Sequence, residues 1–214
     1  MRVSAETIST KRIAGYVMAG GASRRFGSDK ALAIINGETM LARNIALVSG
    51  VAESAKVVSA AGRYAEFKCV VVEDRWPDEG PLGGIVTALR HTTATASNVE
   101  WNLVISCDMP FLTNEWLAYL CERSLHSEAK VVVPRSEYGL EPLCACWRTT
   151  ALAILQDCFY GGTRKVTDAM KLLPMEVLDV QDWKRFDSAG RLFWNMNTAK
   201  DYEEALRFAK MENS

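Results

Sequence analysis

The chain has 214 residues, 49 % of them apolar and 24 % charged, with 25 basic against 26 acidic side chains and a net charge of −1. That size and ordinary globular balance fit one large α/β domain with its own core. The lack of a basic excess argues against nucleic acid as a partner, and no apolar window is long enough to span a membrane.

Residues 1–12, MRVSAETISTKR, are polar and hold no apolar stretch of the kind a signal peptide needs. They are expected to be a short flexible leader. Residues 13–214 are expected to form a single domain. Six cysteines are present and no pair has the CxxC spacing of a zinc or redox site. Cys144 and Cys146 would share one face of a strand. All six read as small buried hydrophobes, reduced as in the cytoplasm.

Short β-branched runs alternate with helical patterns along the chain. Ile13–Ala19 reads as a buried strand leading into a glycine-rich loop, and Thr39–Val48 as a helix. Ala55–Ser59 and Cys69–Val72 read as the second and third strands. Leu82–His91 has helical spacing after the breaker pair Gly80-Pro81. Trp101–Ser106 is a fourth buried strand, and Asn114–Arg123 a helix with Thr113 as N-cap. Lys130–Val133 and Leu143–Trp147 follow as strands, Thr150–Cys158 and Ala199–Ala209 as helices. This alternation predicts a mostly parallel sheet with helices on both faces, joined late in the chain by an antiparallel strand.

In such sheets ligands sit outside the carboxyl ends of the strands. Three unusual segments fall there: Gly20–Lys30, Asp74–Gly84 and Asp108. The first belongs to MAGGASRRFGSDKA, Met18–Ala31. Its glycines let backbone N–H groups close on an anion. Arg24, Arg25 and Lys30 can neutralise the several charges of a triphosphate. The loop is neither a Walker A sequence nor a GxGxxG fingerprint. Asp108 follows the apolar run WNLVIS, and its hard oxygens suit Mg²⁺, which takes one or two carboxylates beside phosphates and water. The alternative is a carboxylate capping the turn before Pro110.

MAGGASRRFGSDKA resembles the LAGGxSxRMGxDK signature of the molybdenum cofactor guanylyltransferase family, with Met18 for the usual Leu and Phe26 for the usual Met. The resemblance continues in family order through GPLGGI (Gly80–Ile85), CDMPF (Cys107–Phe111), EPLCA (Glu141–Ala145) and NMNT (Asn195–Thr198). It covers nearly the whole chain after residue 12. It implies a Rossmann-like α/β nucleotidyltransferase fold, and transfer of GMP from GTP to molybdopterin or Mo-molybdopterin with release of pyrophosphate. Molybdoenzyme chaperones become candidate partners for the product.

The same resemblance assigns roles. Asp108 would hold the Mg²⁺ on the nucleotide phosphates, and Lys30 and Arg25 would stabilise phosphate charge. Met18, Ala19, Gly20 and Gly21 would line the nucleotide site together with Gly80, Pro81, Leu82 and Gly83. Asp74 aligns best with an upstream nucleotide-binding aspartate, although Asp78 lies nearby. Asn197 is a candidate second metal ligand or, alternatively, the N-cap of the last helix. Some members carry an Asn after the second strand, where this chain has Ser59-Ala60-Ala61-Gly62.

GGTRKVTD (Gly161–Asp168) resembles a Gly-basic turn on the family's acceptor side. Arg164 and Lys165 there, and Arg135, read either as contacts to an acceptor phosphate or as solvated charges. His91 and His126 lie without partners and are given no role. Trp183, Phe193 and Trp194 read as core rather than as platforms for a pterin ring. Two other functions remain: a related transferase using CTP or a sugar phosphate, and a non-catalytic nucleotide binder, for which loss of Lys30 or Asp108 would be the sign.

Overall fold

A computed structural model of the chain describes residues 13–20, 26, 27, 29–96, 98–187 and 189–212. The expected leader, Gly21, Arg24 and Arg25 lie outside the described residues.

The strands in chain order are β1 (Ile13–Met18), β2 (Ile34–Ile35), β3 (Glu38–Thr39), β4 (Ser54–Ser59), β5 (Val70–Glu73), β6 (Trp101–Ser106), β7 (Val131–Ser136), β8 (Gly139–Leu140), β9 (Cys144–Arg148) and β10 (Met175–Leu178). The helices are α1 (Met40–Ser49), α2 (Pro81–Thr95), α3 (Asn114–Leu125), α4 (Leu152–Tyr160), α5 (Val166–Met170), α6 (Val180–Trp183) and α7 (Ala199–Glu212). The main sheet runs β10-β7-β9-β6-β1-β4-β5, with β8 paired to β7. Pairs β1–β4, β1–β6, β4–β5 and β7–β10 are parallel. β9 runs antiparallel to both β6 and β7. It is the antiparallel strand expected late in the chain. Because it reverses direction between two neighbours, β7 and β10 again point the same way as β6. The carboxyl ends of β1, β4, β5, β6, β7 and β10 therefore share one edge.

The central strands are largely apolar because both faces are covered, with polar exceptions such as the buried Asn102 of β6. Every residue of β6 is buried. On one face the core includes Val17, Val57, Leu103, Ile105 and Trp116, with side chains from α1, α3 and α7. On the other, Tyr16, Val58 and Val104 meet α2, α4 and α5. Alternation along each strand sends successive residues to the two faces. Helix α1 presses closely on β1 at Gly15, where a Cβ would stand 2.0 Å from Val48 Cγ1. Only a residue without a side chain permits that approach.

Several elements differ from the sequence reading. Helix α2 begins at Pro81 and continues to Thr95, beyond His91. Thr92 there is buried and hydrogen-bonds Tyr16 and Asn102, so tertiary contacts extend a threonine-rich turn of low intrinsic propensity. Thr39 caps α1 rather than opening it, accepting from the Ala42 N–H. Its strand partners Ile34 and Ile35 form an unexpected hairpin around Asn36-Gly37, both with positive φ. α5, α6 and β10 were also not expected. His91 is not without a partner: its Nδ1 lies 3.0 Å from the Tyr16 hydroxyl. The six cysteines are free thiols, four of them buried.

Candidate active site

A cavity of about 470 Å³ opens at the carboxyl edge of the sheet. Its walls come from β1, β4, the start of α2 and the segment after β6. Met18, Gly20, Asp74, Gly80, Gly84 and Asp108 all line it. A smaller cleft beside it adds Ala19, Asp29 and Lys30. The three segments singled out from the sequence thus meet at one place.

Lys30 opens a short 3₁₀ turn, Lys30–Leu32, whose N-cap is Asp29. Asp29 accepts the Ala31 N–H at 3.1 Å and the Tyr64 hydroxyl at 2.9 Å, and pairs with Arg63. Burial and the Asp29 hydrogen bond push the Tyr64 phenol far up, so it remains a neutral donor. This anchor fixes the end of the glycine-rich loop. Lys30 Nζ then reaches Asp108 Oδ2 at 2.8 Å and Asn197 Oδ1 at 3.1 Å.

Asp108 is held from two sides. Its Oδ1 accepts from Ser106 Oγ, and its carbonyl accepts the Met196 N–H at 2.8 Å. The second contact ties the Asn195–Thr198 segment to the end of β6. The capping alternative for Asn197 falls away. Thr198 stands before α7 and its Oγ1 accepts the Asp201 N–H, while Asp201 accepts from the N–H groups of Asn197 and Thr198 at 2.8 Å each. Asn197 is left with its amide oxygen turned to Lys30.

A divalent ion suits this arrangement by the chemistry of its donors. A carboxylate and an amide oxygen converge on one cation, the Lys30 ammonium. Both are hard ligands, and a nucleotide-bound Mg²⁺ needs no more than one or two of them from the protein. No group of three or more Asp, Glu, His or Cys forms a self-sufficient metal cage among the described residues.

At the other end of the cavity Asp74 is half-buried at the end of β5. Its Oδ1 accepts from the Trp76 N–H and Thr87 Oγ1. Its Oδ2 lies 3.8 Å from where a Gly20 side chain would begin and 4.0 Å from the same point on Gly84. Asp78 also lines the cavity but is exposed, with φ of 67°. The fixed, half-buried Asp74 is the better placed of the two.

The GPLGG segment divides its work. Gly80 has φ of 91°, a conformation that glycine adopts without strain, and Pro81 starts α2. Both line the cavity with Gly84. Leu82 does not line it: its side chain is fully buried in the core. Gly83 also faces away, toward Phe159 and Trp76, whose atoms lie 3.2 and 3.3 Å from its missing Cβ. Helical geometry explains the split, since successive residues turn by about 100°.

Arg164, read from the sequence as an acceptor contact or a solvated charge, makes local contacts. It pairs with Glu79 at 2.6 Å, donates to the Phe159 carbonyl and stacks on the Phe159 ring. It braces the loop before Gly80. Arg135, in β7, lies 3.2 Å from Asp179. Lys165 precedes α5 and is exposed.

Sequence reasoning used Glu141 only as part of a motif. It is buried, it shares a hydrogen bond with Ser136, and its carboxyl is pushed up by burial and by the Asp108 charge, against the pull of the Ser136 hydrogen bond. Asp29 and Tyr64 were likewise missed. An acid directly before a basic turn residue was the available signal for Asp29, whereas the Tyr64 contact spans 35 positions and had none.

The MobA-like NTP transferase domain model matches residues 15–174. A probable molybdenum cofactor guanylyltransferase of Flavobacterium johnsoniae is 28 % identical over 93 % of this chain and 96 % of its own length. One of Chloroflexus aggregans is 31 % identical over 88 % of this chain and 91 % of its own. The crystal structure of molybdopterin-guanine dinucleotide biosynthesis protein A from Archaeoglobus fulgidus superposes with a TM-score of 0.79, covering 92 % of this chain and 98 % of that one at 24 % identity. With its glycine-rich first loop, its Lys30–Asp108 centre and its sheet order, the chain belongs to the MobA-like NTP transferase family.

Proposed function

We propose that the protein transfers GMP from GTP to the terminal phosphate of molybdopterin or Mo-molybdopterin, forming the guanine dinucleotide cofactor. The carrying observation is the meeting of Lys30, Asp108 and Asn197 beside the cavity of about 470 Å³ that Asp108 lines. The names of the relatives support the substrates.

An acceptor phosphate oxygen attacks the α-phosphorus of GTP. The new P–O bond forms as the α–β bridging bond breaks, and the bond pair leaves with pyrophosphate. No covalent enzyme intermediate is required. Catalysis is positioning plus neutralisation of charge. Lys30 neutralises phosphate charge, and Arg25 is proposed to join it. Asp108 and Asn197 would hold Mg²⁺, which when bound supplies a second cation to the phosphates. The GTP base lies against Met18, Gly20, Gly80 and Gly84, with the Asp74 carboxylate beside Gly20 and Gly84. Gly21 is proposed to add a backbone N–H, as is Leu82, whose side chain faces elsewhere; the Gly83 N–H instead donates to the Gly80 carbonyl at 3.2 Å and holds the turn that shapes the cavity wall.

No helix among the described residues is long and apolar enough to cross a membrane. The free thiols fit a reducing compartment, and we place the reaction in the cytoplasm. Molybdoenzyme chaperones are the proposed recipients of the product. The test is acceptor-dependent pyrophosphate release with each NTP in Mg²⁺ and molybdopterin. GTP should give the highest kcat/KM. Equal values for CTP and GTP would remove guanine selectivity, and release without acceptor would remove the transfer.

A further inference from the structure

We propose that a second cavity on the same sheet edge, walled by Tyr138, Trp183, Phe193 and Trp194, seats the planar heterocycle of the acceptor. This inference rests on the reaction proposed above and assigns its acceptor subsite. The cavity has a volume of about 250 Å³ and lies past the ends of β7 and β10, with Ser136 and Val180 also in its wall. Fused-ring heterocycles suit this size, which falls just under the range of about 300–1,000 Å³ typical of whole drug-sized ligands.

The walls are held from behind. Trp183 Nε1 donates to the Arg135 carbonyl at 3.0 Å, and its ring meets Phe193 edge-on at 5.2 Å between centroids. Phe193 is buried and meets Trp116 edge-on at 5.5 Å. Trp194 packs against Phe111 at 5.8 Å. Phe193 lies in the core, as expected, and Trp183 and Trp194 pack against it. Trp183 and Trp194 are only half-buried and each presents surface to the cavity. Tyr138, also in the wall, is 71 % exposed. An aromatic ring gains little stability there, and its place in the same cavity wall as two half-buried indoles suits stacking on a flat ligand. Glu137, Lys184 and Asp187 supply polar groups at the rim for the edges of such a ring.

The cavity is joined to the reaction centre by two short links. Ser136 lines it and hydrogen-bonds Glu141, whose carboxyl feels the Asp108 charge. Trp194 stands two residues before Met196, whose N–H donates to the Asp108 carbonyl. Two residues of extended chain reach roughly 7 Å. In-line transfer needs the incoming oxygen and the leaving pyrophosphate on opposite sides of the α-phosphorus. The nucleotide cavity lies toward β1, β4 and β5, and the aromatic cavity lies toward β7 and β10, with Asp108 between them.

The test compares Tyr138→Ala and Trp183→Leu with the parent protein in Mg²⁺ and saturating GTP, varying molybdopterin. Stacking contacts to a flat base carry enough energy that the acceptor KM should rise roughly fivefold to a hundredfold. The KM for GTP should not move, and the exposed Tyr138 variant should keep the parent Tm. A second readout needs no turnover: quenching of free pterin fluorescence on titration with protein should be strong for the parent and weakened in both variants. An unchanged acceptor KM in both variants, or equal pterin quenching by all three proteins, would overturn the assignment. If the parent fails to join GMP to molybdopterin, the reaction proposed above is lost, and the pterin titration still decides whether the cavity takes a flat heterocycle.

Discussion

Lys30 Nζ lies 2.8 Å from Asp108 Oδ2, joining the end of the first loop to the end of the central strand across 78 positions of sequence. The same ammonium reaches Asn197 Oδ1 at 3.1 Å. One cation thus holds together the end of the first loop, the end of β6 and the segment before α7.

That arrangement predicts different failures for its members. Asp108→Asn keeps the shape and the backbone contact to Met196 but removes the charge proposed to hold Mg²⁺. Its kcat should fall on the order of a hundredfold or more, by analogy with loss of one preorganised charge-stabilising group, with little change in Tm. Lys30→Ala should weaken GTP binding roughly tenfold to a hundredfold, because a charged phosphate contact is lost. Steady-state kinetics beside thermal melts check both. Near-parental kcat for Asp108→Asn at ordinary Mg²⁺ would remove it from the metal site.

Gly84 faces the cavity, and a Cβ there would stand 2.2 Å from Met18 Cε. The Met18 tip is flexible, so Gly84→Val should displace it into the space for the base. Loss of a helical glycine recovers some helix propensity, about 0.2–0.5 kcal/mol for valine, which partly offsets the packing cost. The nucleotide Kd should therefore rise by about tenfold or more while Tm changes little. Calorimetric titration with GTP checks this, and an unchanged Kd would move the base elsewhere.

Much of this site is legible in the sequence because it is built from local signals. Apolar β-branched runs mark β1, β4 and β6, and each ends in a loop rich in glycine or acid. The Asn36-Gly37 turn was also legible, as the strongest short hairpin signal, but its strands are only two residues each and escaped a periodicity search. Other features depend on tertiary contacts. α5 has five residues, too few for a helical repeat, and β10 is a half-buried edge strand. The facing of Leu82 and Gly83 away from the cavity follows from where α2 lies on the sheet. Arg164 bracing Glu79 links positions 85 residues apart, and a basic turn alone could not show it.

Glu141 carries a pH signature. Its folded-state carboxyl is raised, chiefly by burial, so between its ordinary value of 4.5 and the raised one the folded protein holds a proton that the unfolded chain has lost. Its contribution is most favourable below 4.5 and declines as pH rises through the folded value. Glu141→Gln removes that decline. The Tm of the variant relative to the parent should therefore increase from pH 4 upward and then level off. A constant Tm difference across that range would show that Glu141 titrates normally.

The approach of α1 to β1 at Gly15 tests the fold independently of the chemistry. Gly15→Ala would place a Cβ 2.0 Å from Val48 Cγ1 and 3.0 Å from the Ser54 carbonyl. Overpacking of this kind costs about 1–3 kcal/mol, or roughly 2–12 °C in Tm for a chain of this size. Denaturant melts should show the loss with GTP binding intact at low temperature. Full stability would mean that α1 can move off the strand.

The reaction itself is tested most directly by following the two ends of the triphosphate. The protein is given Mg²⁺, molybdopterin and GTP labelled at either the α or the γ phosphate. Transfer of GMP predicts that α label enters the molybdopterin product in equal amount to γ label appearing in pyrophosphate, with both dependent on the acceptor. Release of γ label as inorganic phosphate, with α label remaining in GDP, would contradict the account.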